Sequence, residues 1–523
     1  MRRVVIDGES LTVEDVVAVS RGGAQVEIPQ EVKEKVNRSR QVLEEFVRKR
    51  KVVYGVTTGF GALGNVIVPS EHIRELQSNL IRSHSAGVGK PLNRDATRAL
   101  LLLRANTLAK GNSGIKLKTL ETLVAMINKG VHPIIPEKGS VSASGDLAPL
   151  SHMTLVIMGE GEAEFEGKTT SGEDALKKAG ISPVRLDSKE GLALNNGTQM
   201  MTAIGALAVH DAERLIKNAE IAASLSLEAL SGISDAFDER IHLVRPHLGQ
   251  IETAKNIRLL TAGSKIIKSS GEAIREAEKS EMRPPQDPYS LRCVPQVLGA
   301  SREAIVYARK IMETEINSAT DNPLIFADDG ECLSGGNFHG QPISVAMDLL
   351  GISLTIMGNI SERRIARLID EKLSHGLPPF LIHREVEKGI HSGFMSAQIT
   401  AAALASENKV LSHPASVDSI PTSANFEDFV SMGSIAARKT TEILRNVERI
   451  VAIELLCAAQ GVEFRGPEKL GQGTQVAYSL IRERTPILKE DRVISKDIEA
   501  VTELIKNGEL VEAVEEAVSS RMD

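Results

Sequence analysis

Apolar residues recur at helical spacing through most of the chain. RDATRALLLLRANTLAKG and KLKTLETLVAMINKG, within residues 94–129, each predict a helix closed by glycine. Three longer stretches keep the same period: MMTAIGALAVHDAERLIKNAEIAASLSLEAL, AMDLLGISLTIMGNISERRIARLID and SGFMSAQITAAALASENKVLS. Their apolar positions are rich in alanine, glycine and serine, and small residues let helix axes approach closely inside a bundle. Near the C-terminus, ISKDIEAVTELIKNGELVEAVEEAV predicts amphipathic helices with an acidic outer face. The beginning of the chain is less regular. VVIDG reads as a short strand, EVKEKVNRSRQVLEEFVRKR as a helix, and residues 160–190 as a polar, glycine-punctuated surface excursion with a small hairpin. The fold class is therefore all-α (mainly α). A loop-rich N-terminal part over residues 1–200 precedes a long helical bundle and C-terminal helices over 201–523.

Composition narrows the function. The 523 residues, 42% hydrophobic, suffice for a large core, and a long bundle can absorb most of them as one unit. The 62 basic and 69 acidic residues are interspersed, with no basic block to attract nucleic acid. Cys293, Cys332 and Cys457 form no CxxC pair, which argues against a disulfide framework and a zinc site. The histidines at 84, 152, 339, 383, 391 and 413 show no metal-ligand spacing. The N-terminus lacks the apolar core of a signal peptide, and no run of about 18 apolar residues interrupts the pattern. A cytoplasmic protein with no membrane or nucleic-acid partner is expected.

Two glycine-containing segments carry candidate chemistry. Gly59, Gly61 and Gly64 in TGFGALGN have GxGxxG spacing, but VIVP follows where a dinucleotide site needs a helix. A loop folding tightly, with Tyr54 at its base, is the better reading. Ala143-Ser144-Gly145, in GSVSASGDLAPLSH, suits a turn or a helix N-cap equally well. The same tripeptide could also cyclise. Gly145 has no Cβ to obstruct attack of its nitrogen on the Ala143 carbonyl carbon, Ala143 is the least obstructive chiral neighbour, and Ser144 supplies a β-hydroxyl to eliminate. The product would be an electrophile bearing an exocyclic methylidene.

Several segments in collinear order decide between these readings. VSASGDLAPLSH, YGVTTGFG (54–61), EGLALNNGTQ (190–199), PPQDPYSLRCVPQVLGAS (284–301), NSATDNPLIF (317–326), SGGNFHGQP (334–342), SGFMSAQITAAALASENK and HPASVDSIPTSANFEDFVSMG together resemble the histidine and aromatic amino-acid ammonia-lyase family. The likeness runs over about residues 50–440. It implies a fumarase/aspartase-like helical bundle assembled as a homotetramer whose sites draw residues from three chains. It also implies 4-methylidene-imidazol-5-one (MIO) made from Ala143, Ser144 and Gly145, with no external cofactor.

By the same resemblance, the reaction is elimination of ammonia from an aromatic L-amino acid, with the electrophile turning the amine into a better leaving group. Tyr54 matches the base, a role for which the site must lower a phenol's ordinary pKa near 10. Tyr289 matches the family's second tyrosine, near the reacting amine. Arg292 matches the carboxylate clamp, suited by its planar fork of donors. Asn196 and Gln286 match amides beside the prosthetic group and substrate, and Phe338 an aromatic packed near the MIO ring. His84 and Glu427 match residues that read the substrate ring. Histidine-acting members carry NQEDH where this chain has NFEDF, so Phe426 and Phe429 replace two polar residues. Histidine, giving trans-urocanate, is the foremost substrate. A tyrosine or phenylalanine ammonia-lyase and an aromatic 2,3-aminomutase stay open. A non-catalytic helical scaffold is opposed by the intact Tyr54, Ala143, Ser144, Gly145 and Arg292.

Overall fold

The computed structural model of the protein describes residues 2–280, 286–383, 389–519 and 522. Pro284 and Pro285, at the head of the PPQDPYSLRC segment, lie outside them. Helices dominate, and the few strands make small two- and three-stranded sheets. The expected N-terminal strand exists as Arg3–Val5, paired in parallel with Gln25–Glu27. The expected hairpin joins Glu162–Phe165 to Lys168–Ser171.

The chain divides into two compact units. One comprises residues 1–210, 308–348 and 414–439; the other comprises 211–307, 349–413 and 440–523. Two stretches of the expected 201–523 bundle thus belong to the first unit, because the chain returns to it twice.

In the first unit, the helix Arg94–Ala109 is buried continuously from Ala96 to Ala109, and the Asn93 side chain caps it by accepting from Ala96 N–H at 2.8 Å. Its polar residues face inward as clamps: Arg98 donates to the Val19 carbonyl, and Asn106 to that of Ile316. The helix Leu117–Lys129 ends at Gly130, whose φ of 73° supplies the left-handed cap that the sequence predicts.

The three longest expected helices form as Gln199–Ala229, Gln341–Ile369 and Met395–Leu411. Val294–Glu315 and Gly433–Glu463 add two more that the periodicity reading did not single out. In the second unit a Cβ on Gly358 would press on Ile450 and Val447, so the small residue sets that helix approach. A buried carboxylate also ties three helices there. Glu454 accepts from Arg364 Nη2 (2.7 Å), Ser226 Oγ (2.7 Å) and Ser361 Oγ (2.6 Å). Gln341–Ile369 is, among the described residues, a helix long and apolar enough to cross a membrane by length and composition. It is not an unbroken apolar run, and 67% of its apolar window is buried within the chain, as a core helix requires.

Candidate active site

The Ala143-Ser144-Gly145 segment is gripped by backbone and serine contacts. Gly145 has φ +72° and pairs with Gly197 in an isolated parallel bridge. A Cβ on Gly145 would run into the Gly197 carbonyl oxygen, so only glycine fits. The Asp146 N–H donates to that same oxygen at 2.6 Å. Upstream, Ser142 N–H donates to Ser140 Oγ (3.0 Å), and Ser140 Oγ to the Gly145 carbonyl (3.2 Å). From residues 431–434, Ser431 Oγ donates to the Ser142 carbonyl (3.0 Å) and Ser434 Oγ to that of Ser140 (2.9 Å). Ala143 packs in an apolar cluster with Val430 and Met432.

The segment's one free side chain is directed at a carboxylate. Ser144 Oγ donates to Glu427 Oε1 at 2.9 Å, and Thr422 Oγ1 donates to Glu427 Oε2 at 2.7 Å. Glu427 sits on an unusual turn. Ser423, Ala424 and Asn425 have φ of 53°, 53° and 65°, and none is glycine. Each costs about 1–2 kcal/mol. The turn is closed by reciprocal backbone bonds between Thr422 and Glu427 (2.9 and 3.3 Å). Strain held this way is characteristic of functional segments.

Tyr54 and His84 lie within reach of the Glu427 charge. The half-buried Tyr54 hydroxyl accepts from Gly61 N–H at 2.8 Å. Residues 61–63 form a 3-10 turn, so the glycine-rich loop wraps the tyrosine and opens no dinucleotide helix. Burial pushes the Tyr54 phenol up; the Gly61 hydrogen bond pulls it down, and the negative Glu427 adds to the rise. The net shift is upward. Within a single copy of the chain, among the described residues, no cation offsets that desolvation, so the lowering expected of the base is not supplied by this copy alone. His84 Nδ1 lies 2.9 Å from the Leu80 carbonyl, which can only accept, so Nδ1 carries the proton and Nε2 is left as an acceptor. Burial lowers the His84 pKa, while the Leu80 carbonyl and Glu427 raise it more weakly.

Asn196 follows the helix Glu190–Asn195 and is buried. Its Nδ2 donates to the Asn322 carbonyl (3.2 Å) and to Asp321 Oδ1 (3.4 Å), whereas its Oδ1 is buried with no partner. Asp321 is fixed in turn by the fully buried Lys189 at 2.6 Å. That is what the NSATDNPLIF segment does: it holds the amide. Phe338 is half-buried, and the cluster around Ala143 is built from other residues. Phe426 and Phe429, the two departures, are 60% and 62% exposed, and the Phe429 ring lies 6.1 Å from that of His339.

Two contributors escaped the sequence reading. Arg104, fully buried, donates to the carbonyls of Ala193, Asn196 and Thr320 and to Gln199 Oε1, fixing the strand of chain that carries Asn196 and Gly197. Burial lowers its pKa to about 10. Asp146, also fully buried, accepts from Met201 N–H at 2.9 Å, and burial pushes its carboxyl up to about 7. A buried arginine inside LLLLRANTLA and an aspartate after the tripeptide were the available signals.

Gln286, Tyr289 and Arg292 belong to the other unit. Gln286 is exposed and Tyr289 is 71% exposed. The short helix Tyr289–Arg292 places the guanidinium 4.8 Å from the Tyr289 ring, and Arg292 Nε is buried without a partner among the described residues. An unspent donor beside an exposed ring suits a carboxylate clamp.

The residues present fit an MIO group. The turn admits only glycine at 145, and the Ser144 hydroxyl, the group that maturation must eliminate, is held by a carboxylate.

The sequence pattern of the aromatic amino acid lyases matches residues 11–483. The chain is 55% identical over 518 residues to a histidine ammonia-lyase of Alkaliphilus oremlandii, covering 99% of each. Among solved structures, histidine ammonia-lyase from Trypanosoma cruzi superposes with a TM-score of 0.89 at 44% identity, over 98% of this chain and 95% of that one. Tyrosine aminomutase from Streptomyces globisporus superposes with a TM-score of 0.95 at 41% identity, over all of both chains.

Proposed function

The chain belongs to the aromatic amino acid lyase family, and from that premise we propose that it eliminates ammonia from L-histidine to give trans-urocanate. The observation that carries the substrate is Glu427, a carboxylate held beside Ser144 and within charge reach of His84 and Tyr54. Two acceptors, Glu427 and His84 Nε2, suit an imidazole, which offers one ring N–H when neutral and two as the cation. A phenyl ring offers none and would leave both unpaired, at about 1–3 kcal/mol each.

When formed from Ala143, Ser144 and Gly145, the MIO group supplies an electrophile that makes the amine a better leaving group. The other tasks fall to side chains. Arg292 binds the substrate carboxylate through its fork of donors. Tyr54 takes the β-proton as phenolate, a form that the raised phenol keeps scarce at neutral pH and that grows as pH rises toward its pKa. Asn196 Oδ1 accepts a hydrogen bond near the prosthetic group, while Tyr289, Gln286 and Phe338 position amine and ring.

The working form is a homotetramer with shared sites. Val345, Leu349, Ile352 and Ile356 recur at heptad-like spacing on one helix and are each 36–44% exposed. Such a stripe fits a second copy of the chain. The unpaired Cys293, Cys332 and Cys457 accord with a reducing, cytoplasmic setting.

The test is absorbance growth with L-histidine, L-tyrosine and L-phenylalanine in separate cuvettes. A urocanate spectrum with histidine alone is expected. A coumarate or cinnamate spectrum with histidine inert would mean that Phe426 and Phe429 have redefined the ring site.

A further inference from the structure

Glu427 is placed for a second task, which precedes any encounter with substrate. In the unmodified chain its Oε1 lies 2.9 Å from Ser144 Oγ, the atom that must leave for the tripeptide to mature. Its other oxygen is fixed by Thr422 at 2.7 Å, and the left-handed turn 423–425 fixes the backbone behind it. Among the described residues, Glu427 is the ionisable group hydrogen-bonded to Ser144 Oγ, whereas Asp146 Oδ2 accepts from Met201 N–H, the Tyr54 hydroxyl from Gly61 N–H, and His84 Nδ1 faces the Leu80 carbonyl. Hydroxide is a poor leaving group, so expelling the Ser144 oxygen needs a proton delivered to it.

We infer that Glu427 is the general acid that dehydrates Ser144 during maturation, an assignment that rests on the MIO reading above. Ring closure comes first. The Gly145 nitrogen bonds to the Ala143 carbonyl carbon, and the carbonyl oxygen departs as one water with the Gly145 N–H proton and the Ser144 N–H proton, leaving a C=N bond. In the second step the Ser144 Cα–H proton passes to solvent and its electron pair forms the Cα=Cβ bond. The Cβ–Oγ bond breaks, and Oγ leaves as water carrying its own hydrogen and one proton from the Glu427 carboxyl. For this step Glu427 first takes up a proton from solvent, which reverses the hydrogen bond so that Oε1 donates to Oγ in place of accepting from it. The carboxylate left behind is again the resting form, the Cα–H proton released to solvent replaces the one taken up, and atoms and charge balance with no oxidant. The departure of Oγ also frees Oε1, the oxygen then available to the substrate ring. Maturation thereby unmasks the group that reads histidine.

The test follows the mass of the tryptic peptide containing residues 143–145 from full-length protein, sampled over time after synthesis. Wild type is expected to lose two waters. Glu427→Gln keeps the shape and a hydrogen-bonding amide but has no carboxyl proton, and is expected to accumulate the one-water product at a dehydration rate about 100-fold slower. Glu427→Asp, which retains a carboxyl, is expected to reach the two-water mass. Gel filtration beside Ser144→Ala controls for folding. Two-water loss by Glu427→Gln at the wild-type rate would overturn the inference, as would a Glu427→Asp chain that folds but stalls with Glu427→Gln. Absence of two-water loss in wild type would instead overturn the MIO reading itself.

Discussion

Glu427 and Tyr54 share one electrostatic neighbourhood, and that decides how the proposed base behaves. Burial and the Glu427 charge both hold the Tyr54 phenol above its ordinary value. The elimination rate should therefore climb as pH rises toward the phenol's pKa, and Tyr54→Phe should cut turnover by about 10²–10⁴-fold and abolish that alkaline rise; pH–rate profiles of both proteins check this. Asp146 gives a stability signature of the opposite kind. Its carboxyl is raised from 3.8 to about 7, so the folded chain binds the extra proton between those values. Stability from this group is present below about pH 4 and is lost as pH rises to about 7. Asp146→Asn removes the titration, so the variant's urea midpoint should gain on wild type across that window and then stay level. Much of the site was legible in sequence at this scale, because chemistry fixes residue type: a serine to dehydrate, a glycine where a Cβ collides. The direction of the Tyr54 shift was not legible, since it depends on burial and on a glutamate far along the chain. Arg104 was hidden for a related reason, as three of its four acceptors are backbone carbonyls that leave no mark in residue identity.

The long helices follow from periodicity, but their polar ties do not. Glu454 serves Arg364, Ser226 and Ser361 on two other helices, and all four side chains are buried. Glu454→Ala leaves a buried guanidinium and two hydroxyls without their acceptor. A loss of about 3–5 kcal/mol in unfolding free energy is expected, read by urea titration. The sequence disguised this tie because a lone glutamate in RIVAIELLCAAQ has no partner at helical spacing. The turn at Ser423, Ala424 and Asn425 was equally hidden, for nothing in TSANFED demands three left-handed residues. It forms because Thr422 and Glu427 bond across it.

At the scale of the whole molecule, a homotetramer with shared sites would make assembly inseparable from catalysis. Tyr54 and the tripeptide lie in one unit of the chain, Gln286, Tyr289 and Arg292 in the other. If sites are shared between copies, co-expressing Tyr54→Phe with Arg292→Lys chains should restore a fraction of wild-type activity that neither variant has alone. Sites built within single chains would give no recovery. The all-α class was legible because the helical period persists through the long segments. The return of residues 308–348 and 414–439 to the first unit was not, because such a return depends on tertiary packing.

The measurement that bears most directly on the function is the yield of free ammonia and urocanate from L-histidine, with Ser144→Ala as the blank. Equal amounts of both products from wild type, and neither from Ser144→Ala, are the expected result. A β-amino acid formed without free ammonia, or elimination that survives in Ser144→Ala, would contradict it.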